Sequence, residues 1–282
     1  MSIITTTMTN DDLHFYRDKG YWISPKLLTD EQIIALRQAH DRVWSNEYDS
    51  HGYPVGGSWS PSKDPLKIRK KDNGWLVNET IRQVVTSKEL GRIAAFLMEC
   101  DGVRLWHDQV ILKPGAGEQE TALGNVGWHQ DYGYWQCAST TNMVTVWIAL
   151  QDTDLTNGGM KTIEESHHWG LIPDSNTFFD QDMDALKNKY ASNEHRWSEV
   201  PTILKAGHAS FHHSLTFHGS GPNLTNQDRL SIVAHLMPDG TCYRSGIQWH
   251  PNIPLLGPWP AEGQPFDGPN FPLLYSKHRD DL

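Results

Sequence analysis

The amino-acid sequence predicts a mostly β fold, a double-stranded β-helix (jelly roll) with helices packed before it and a helical insertion within it. Three observations lead there. From Val103 the apolar pattern becomes one of short strands separated by turns, and it continues to about Met237. Ahead of Val103 lie three segments with helix caps, two of them with apolar stripes at helical spacing. Finally, 282 residues with 38% hydrophobic content suffice for one full-sized core, and neither a repeat nor a linker divides them. Residues 1–282 therefore read as one domain, with a jelly-roll core at about 103–237 and a Pro-rich tail at 238–282.

In chain order, Thr9 can cap a short helix running to about Lys19, which Gly20 ends. Thr29 and Gln32 make a capping box for a helix to about Asn46, striped by Ile33, Leu36, Val43 and Trp44. Residues 49–75, rich in Gly, Pro, Ser and Lys, read as a long loop. Ser87 opens a helix to about Glu99, with Leu90, Ile93, Ala94 and Leu97 on one face. Met143 to Leu150 is a β-branched and aromatic run, hence a strand, and Asn157-Gly158-Gly159 is a turn. Ile172 to Trp197 holds a helical stretch, roughly Asp180 to Tyr190, expected as an insertion over one end of the barrel. Arg229 opens a strand through Leu236. The prolines from Pro251 to Pro272 mark the tail as extended coil on the surface.

A net charge of −10 argues against nucleic acid or an anionic membrane as partner, since both need a basic surface. The one basic cluster, Lys63, Lys67, Arg69, Lys70 and Lys71, is either a solvated loop face or a contact for an anionic substrate. Cys100, Cys137 and Cys242 lack CxxC spacing and suit a reducing compartment. Residues 1–10 have no basic, apolar leader, no run spans a membrane, and Arg279-Asp280-Asp281-Leu282 is not a peroxisomal address, so cytoplasm is expected. Oligomeric state is not legible.

The chemistry centres on Trp128-His129-Gln130-Asp131, with His218 87 residues after the aspartate and Arg229 eleven beyond that. Two histidines and a carboxylate on one face of a metal mark non-haem Fe(II) oxygenases, whereas a closed four-ligand tetrahedron suits structural zinc. On a regular strand His129 and Asp131 would point the same way and Gln130 elsewhere. Three protein ligands leave two positions for an α-keto acid and one for O2. Arg229 can grip a carboxylate of such an acid with its planar fork. A second His-x-Asp, His278-Arg279-Asp280, lies in a polar terminus with no later histidine and reads as chance. His107, His167, His168, His208, His212 and His213 read as hydrogen-bonded core or surface residues. Trp128, Tyr132, Tyr134 and Trp135 divide between core and pocket; Trp169 and Trp197 read as core or pocket rim.

These segments come in a telling order, with Glu165-Ser166-His167-His168-Trp169-Gly170, Gly207-His208-Ala209-Ser210-Phe211-His212 and His218-Gly219-Ser220-Gly221-Pro222-Asn223 preceding Arg229. The order resembles the phytanoyl-CoA dioxygenase-like family of Fe(II)/2-oxoglutarate oxygenases, over roughly residues 10–240 and most specifically between Gln109 and Arg229. The resemblance implies that His129, Asp131 and His218 hold iron, and that Ser220 and Arg229 bind the far carboxylate of 2-oxoglutarate. Trp147 would lie beside that co-substrate, and Gln109 would offer it another polar contact. It implies O2-dependent conversion of 2-oxoglutarate to succinate and CO2, coupled to oxidation of a small-molecule C–H bond. Asp131 stands where halogenating relatives carry a small residue, so hydroxylation, or a related desaturation or cyclisation, is expected. Two departures concern loops: Gly207-His208 replaces the family's Gly-Asp, and Glu164-Glu165-Ser166-His167 its Pro-Gly-Ser-His. A Zn- or Mn-dependent jelly-roll hydrolase or isomerase has no need of Arg229 and Trp147, and a non-catalytic binding module has no need of intact ligands. The substrate itself is not legible.

Overall fold

Capping chemistry sets the first third of the chain. In a computed structural model, which describes residues 3–50, 65–117 and 122–279, helix α1 spans Asn10–Lys19. The Thr9 side chain accepts from the Asp12 N–H, and the Asp12 carboxylate accepts from the Thr9 N–H. Gly20 closes the helix at φ 79°, where a Cβ would lie 2.4 Å from His167 Nδ1. Helix α2, Asp30–Trp44, starts with the expected Thr29–Gln32 box. Helix α3, Glu79–Val85, was not anticipated; Asn78 caps it through the Ile81 N–H. Helix α4, Lys88–Met98, follows Ser87, and Glu99 ends it in the left-handed region.

The strands are β1 (Tyr21–Ile23), β2 (Arg69–Asp72), β3 (Gly102–Lys113), β4 (Val126–His129), β5 (Val144–Ala149) and β6 (Met160–Ile163). They continue with β7 (Glu199–Pro201), β8 (Ala209–His213), β9 (His218–Ser220), β10 (Arg229–Pro238) and β11 (Leu273–Ser276). One antiparallel sheet runs β1-β8-β5-β10-β3-β11, with β2 also on β3; the other runs β4-β9-β6-β7. This is the jelly roll the strand pattern predicts.

Period-two alternation divides the large sheet between two tasks. Val146 and Ile148 of β5, Phe211 of β8, and Ile232, Ala234 and Leu236 of β10 pack into one core with Leu36, Ile81, Leu90 and Ile93 of the helices. The intervening residues, among them Thr145, Trp147, Val233 and His235, face the other way and line a cavity between the sheets. Helices therefore hold the outer face and free the inner face for chemistry.

Three expectations need correction. Within the anticipated 49–75 loop, residues 51–64, including Lys63, lie outside the described residues, but Arg69–Asp72 pairs with β3 and Gly74–Leu76 forms a 3-10 turn. A polar Arg-Lys-Lys-Asp run carries no apolar alternation, so its strand comes from pairing alone. The basic cluster is not simply a solvated face either: Lys71 is buried, donates to Val43 O and Asn46 Oδ1, and lies over Trp44.

The tail is not extended surface coil. Phe266 and Phe271 are fully buried against Trp106, Asn252 donates to Trp106 O, and β11 extends the large sheet. The 171–200 insertion does contain a helix, α5, Met183–Tyr190. Among the described residues no helix is long and apolar enough to cross a membrane.

Candidate active site

Strand β4 ends at His129, and Asp131 begins a 3-10 turn, Asp131–Tyr134. The two side chains therefore converge across a break in the strand, which corrects the regular-strand expectation. Gln130 enforces the break. Its amide donates to Gly170 O and Leu215 O, and its oxygen accepts from the Ile172 N–H, so it ties β4 to the insertion. His218 opens β9 directly opposite His129. Both Nε2 atoms lie 3.7 Å from Asp131 Oδ1, and one ligand atom from each of the three residues falls within 4.8 Å of the others. Among the described residues no other group of three such side chains meets that spacing.

The donor set fits a divalent ion by its hydrogen bonds as well as its spacing. His129 Nδ1 lies 2.7 Å from Gly127 O and His218 Nδ1 3.0 Å from Thr216 O. A carbonyl only accepts, so each Nδ1 carries the proton and each Nε2 presents a lone pair to the shared centre. Burial pushes both imidazoles down, toward the neutral form a metal requires. Burial works against the Asp131 charge, but the surrounding histidines, His218 first, hold its carboxyl well below the usual range. The Thr145 hydroxyl donates to Asp131 Oδ2 at 2.5 Å and fixes its orientation.

All seven residues singled out in the sequence line one cavity of about 290 Å³: His129, Asp131, His218, Gln109, Trp147, Ser220 and Arg229. Arg229 is buried, and its guanidinium carbon sits 4.9 Å over the Trp147 ring. Burial lowers its pKa only to about 10, so it stays charged. It makes no ion pair within the described residues, and its Nε has no hydrogen-bond partner. Lys113, fully buried nearby, donates to Ser220 Oγ at 2.6 Å and to Gly221 O. The Ser220 hydroxyl, already an acceptor, keeps its own hydrogen for a ligand.

The remaining predictions divide. His278 is exposed beside Asp101, 3.5 Å away, while Asp280 lies outside the described residues. His167 and His208 bond to the carbonyls of Arg17 and Ser24, as structural histidines should. His107 and His212 instead line the cavity, as do Tyr134 and Trp135, whereas Trp128 and Tyr132 are core. Trp169 and Trp197 pack against the cluster around Trp128. Lys70 of the basic cluster also lines the cavity; of the residues not singled out, Asp72 comes from β2, Phe178 and Phe179 from the insertion, His235 from β10, and Trp249 and His250 from the tail. His235 was legible, since it shares the parity of Arg229 on one strand; the others reach the cavity through tertiary folding.

The phytanoyl-CoA dioxygenase (PhyH) family profile matches residues 16–231. The chain belongs to the phytanoyl-CoA dioxygenase family. Peroxisomal phytanoyl-CoA dioxygenase of Bos taurus is 22% identical over 241 residues, covering 83% of this chain and 69% of the relative. Among solved structures, the α-ketoglutarate-dependent carbocyclase SnoK of nogalamycin biosynthesis is 22% identical with a TM-score of 0.74, covering 96% of this chain and 99% of its own. The epimerase SnoN, solved with Fe3+, α-ketoglutarate and nogalamycin RO, is 24% identical with a TM-score of 0.73, covering 94% and 98%. At these identities the structural likenesses establish the jelly-roll fold; the family match makes this member a 2-oxoglutarate-dependent non-haem iron dioxygenase. Glu165 is held at φ 65° with its carboxylate 2.7 Å from Lys19 Nζ.

Proposed function

We propose that His129, Asp131 and His218 hold Fe(II), that Arg229 and Ser220 hold the far carboxylate of 2-oxoglutarate beside Trp147 and Gln109, and that the enzyme hydroxylates a C–H bond of a small, largely apolar metabolite. The buried Arg229 guanidinium, without an ion pair among the described residues, carries this reading, because it shares one cavity with the triad. An isolated buried cation is costly unless an anion joins it, and a forked donor suits a carboxylate. A hydrolase or isomerase working through activated water would leave that charge unmatched, and a binding module would not need the Nε2 atoms aligned.

Iron and 2-oxoglutarate, when bound, supply the oxidation with O2, releasing succinate and CO2. The chain's own part is positional. His129 and His218 present fixed lone pairs, Thr145 orients Asp131, and Lys113 polarises the Ser220 hydroxyl toward the co-substrate. Tyr134, Trp135, Phe178 and Phe179 give the remaining cavity apolar walls that exclude water. Asp131, which occupies the position a halide would need, supports hydroxylation over halogenation. We take the whole chain as one catalytic domain, and the free thiols Cys100, Cys137 and Cys242 support a cytoplasmic setting.

Purified protein with Fe(II), 2-oxoglutarate and O2 should form succinate slowly without substrate, and Asp131→Ala should abolish that turnover. Zinc-dependent hydrolysis without O2 uptake would overturn the assignment of roles.

A further inference from the structure

Across the large sheet, one row of side chains runs His212, Thr145, His235 and His107, each the register partner of the next. Arg229 lies six residues from His235 on the same strand, roughly 20 Å at about 3.4 Å per residue. The cavity thus has two polar ends of different character. At the Arg229 end the cation has no counter-charge among the described residues. Among the described residues the one other cation lining the cavity, Lys70, is paired with Asp72 at 3.2 Å, and imidazoles dominate the His235 end.

The hydrogen bonds fix which imidazole atoms donate. Ionised Asp131 can only accept, so the Thr145 hydroxyl spends its single hydrogen on Asp131 Oδ2. Thr145 Oγ1 must then accept from His235 Nδ1, 2.9 Å away. In a neutral ring with its proton on Nδ1, Nε2 is a bare acceptor. Among the described residues His235 Nε2 is buried and without a partner, on a ring that lines the cavity. At His250 the tautomer is reversed: Nδ1 accepts from the Asn252 N–H at 3.1 Å, so Nε2 carries the proton and donates. His107 stands between the two, its ring centroid 4.4 Å from that of His235 and 5.2 Å from that of His250. Burial pushes all three rings down, so they are neutral.

We infer that this end of the cavity is a hydroxyl-recognition subsite, in which His235 Nε2 accepts the O–H of an uncharged alcohol or phenol substrate and so positions its ring or chain beside the metal triad. The inference deepens the oxygenase reading and rests on it for the substrate's role. Neutral imidazoles satisfy a hydroxyl without demanding an anion, while Trp135, 4.7 Å from the His235 ring, offers an apolar face to the carbon skeleton. Asp131 and Thr145 hold His235 as an acceptor, which a methyl ether in the same place cannot use.

The test compares 2-naphthol with 2-methoxynaphthalene, by ligand-observed NMR on metal-free protein and by perturbation of the Fe(II)·2-oxoglutarate charge-transfer absorption under anaerobic conditions. The hydroxyl compound should bind roughly tenfold more tightly, the scale of one buried hydrogen bond. His235→Asn, whose amide nitrogen can still donate to Thr145 but which has no distal acceptor, should erase the preference. Thr145→Val frees the His235 tautomer and should let the ether bind as well as the phenol. Equal affinity of the two compounds for the unmodified protein, a preference that survives both variants, or no binding of either compound would overturn the subsite. Absence of the charge-transfer absorption in the unmodified protein would instead sink the co-substrate reading, while the metal-free titrations still judge the subsite.

Discussion

Among the described residues Arg229 is a buried charge without a counter-charge, and that makes it the most informative residue of the site. A buried cation with no described carboxylate in ion-pair reach is stable only if the bound state supplies one. Arg229→Ala should therefore weaken 2-oxoglutarate binding by about 2–5 kcal/mol, the range for losing one partner of a buried charge pair. Arg229→Lys should recover only part of this, because an ammonium is a point donor and not a planar fork. Iron affinity should stay close to that of the unmodified protein, which calorimetry with and without 2-oxoglutarate would check. Unchanged co-substrate affinity in Arg229→Ala would move the anchor to Lys113. At this scale the sequence was most legible where chemistry recurs at fixed spacing. His129, Asp131 and His218 could be picked out because their types and order are rare together. His250 and Trp249 could not, because nothing local tells a tail residue that it will fold back over a cavity 120 residues upstream.

Elements were legible where their ends are local. The Thr9, Thr29 and Ser87 caps bond to backbone three residues away, and each helix begins where its cap stands. Strand β2 and the tail depend instead on partners far along the chain. The turn after β4 is a hybrid case: Gln130 lies inside the motif, but its bonds reach Gly170, Ile172 and Leu215. Gly127 shows how closely β4 and the insertion are fitted, since a Cβ there would lie 2.1 Å from Thr177 O and 2.5 Å from Asp180 O. Both obstacles are backbone, so the insertion must move. Gly127→Ala should cost roughly 1–3 kcal/mol in urea unfolding and expose residues 171–182 to limited proteolysis. A variant as stable and as protease-resistant as the parent would show that the insertion is not seated on β4 as described.

For the whole molecule, covering the cavity and burying histidine are the same act. Helices on the outer sheet face, the insertion and the tail together leave many imidazoles without water, well beyond the metal triad. Burial takes His40 down to about 4 and His213 to about 3, against an ordinary value of 6.5. The linkage then has a definite sign. Between pH 6.5 and those lower values the unfolded chain binds protons that the folded chain does not, so stability is full above pH 6.5 and is lost as pH falls. At pH 5 each such histidine costs roughly 2 kcal/mol, from about 1.4 kcal/mol per pH unit. Metal-free protein should therefore show a urea midpoint that is flat from pH 8 to 7 and falls steadily below 6.5. That decline would begin above the range in which exposed carboxylates titrate, which separates it from ordinary acid unfolding. A midpoint unchanged between pH 7.5 and 5 would mean that these imidazoles meet water in the folded state, and that the core around the site is more open than its packing indicates.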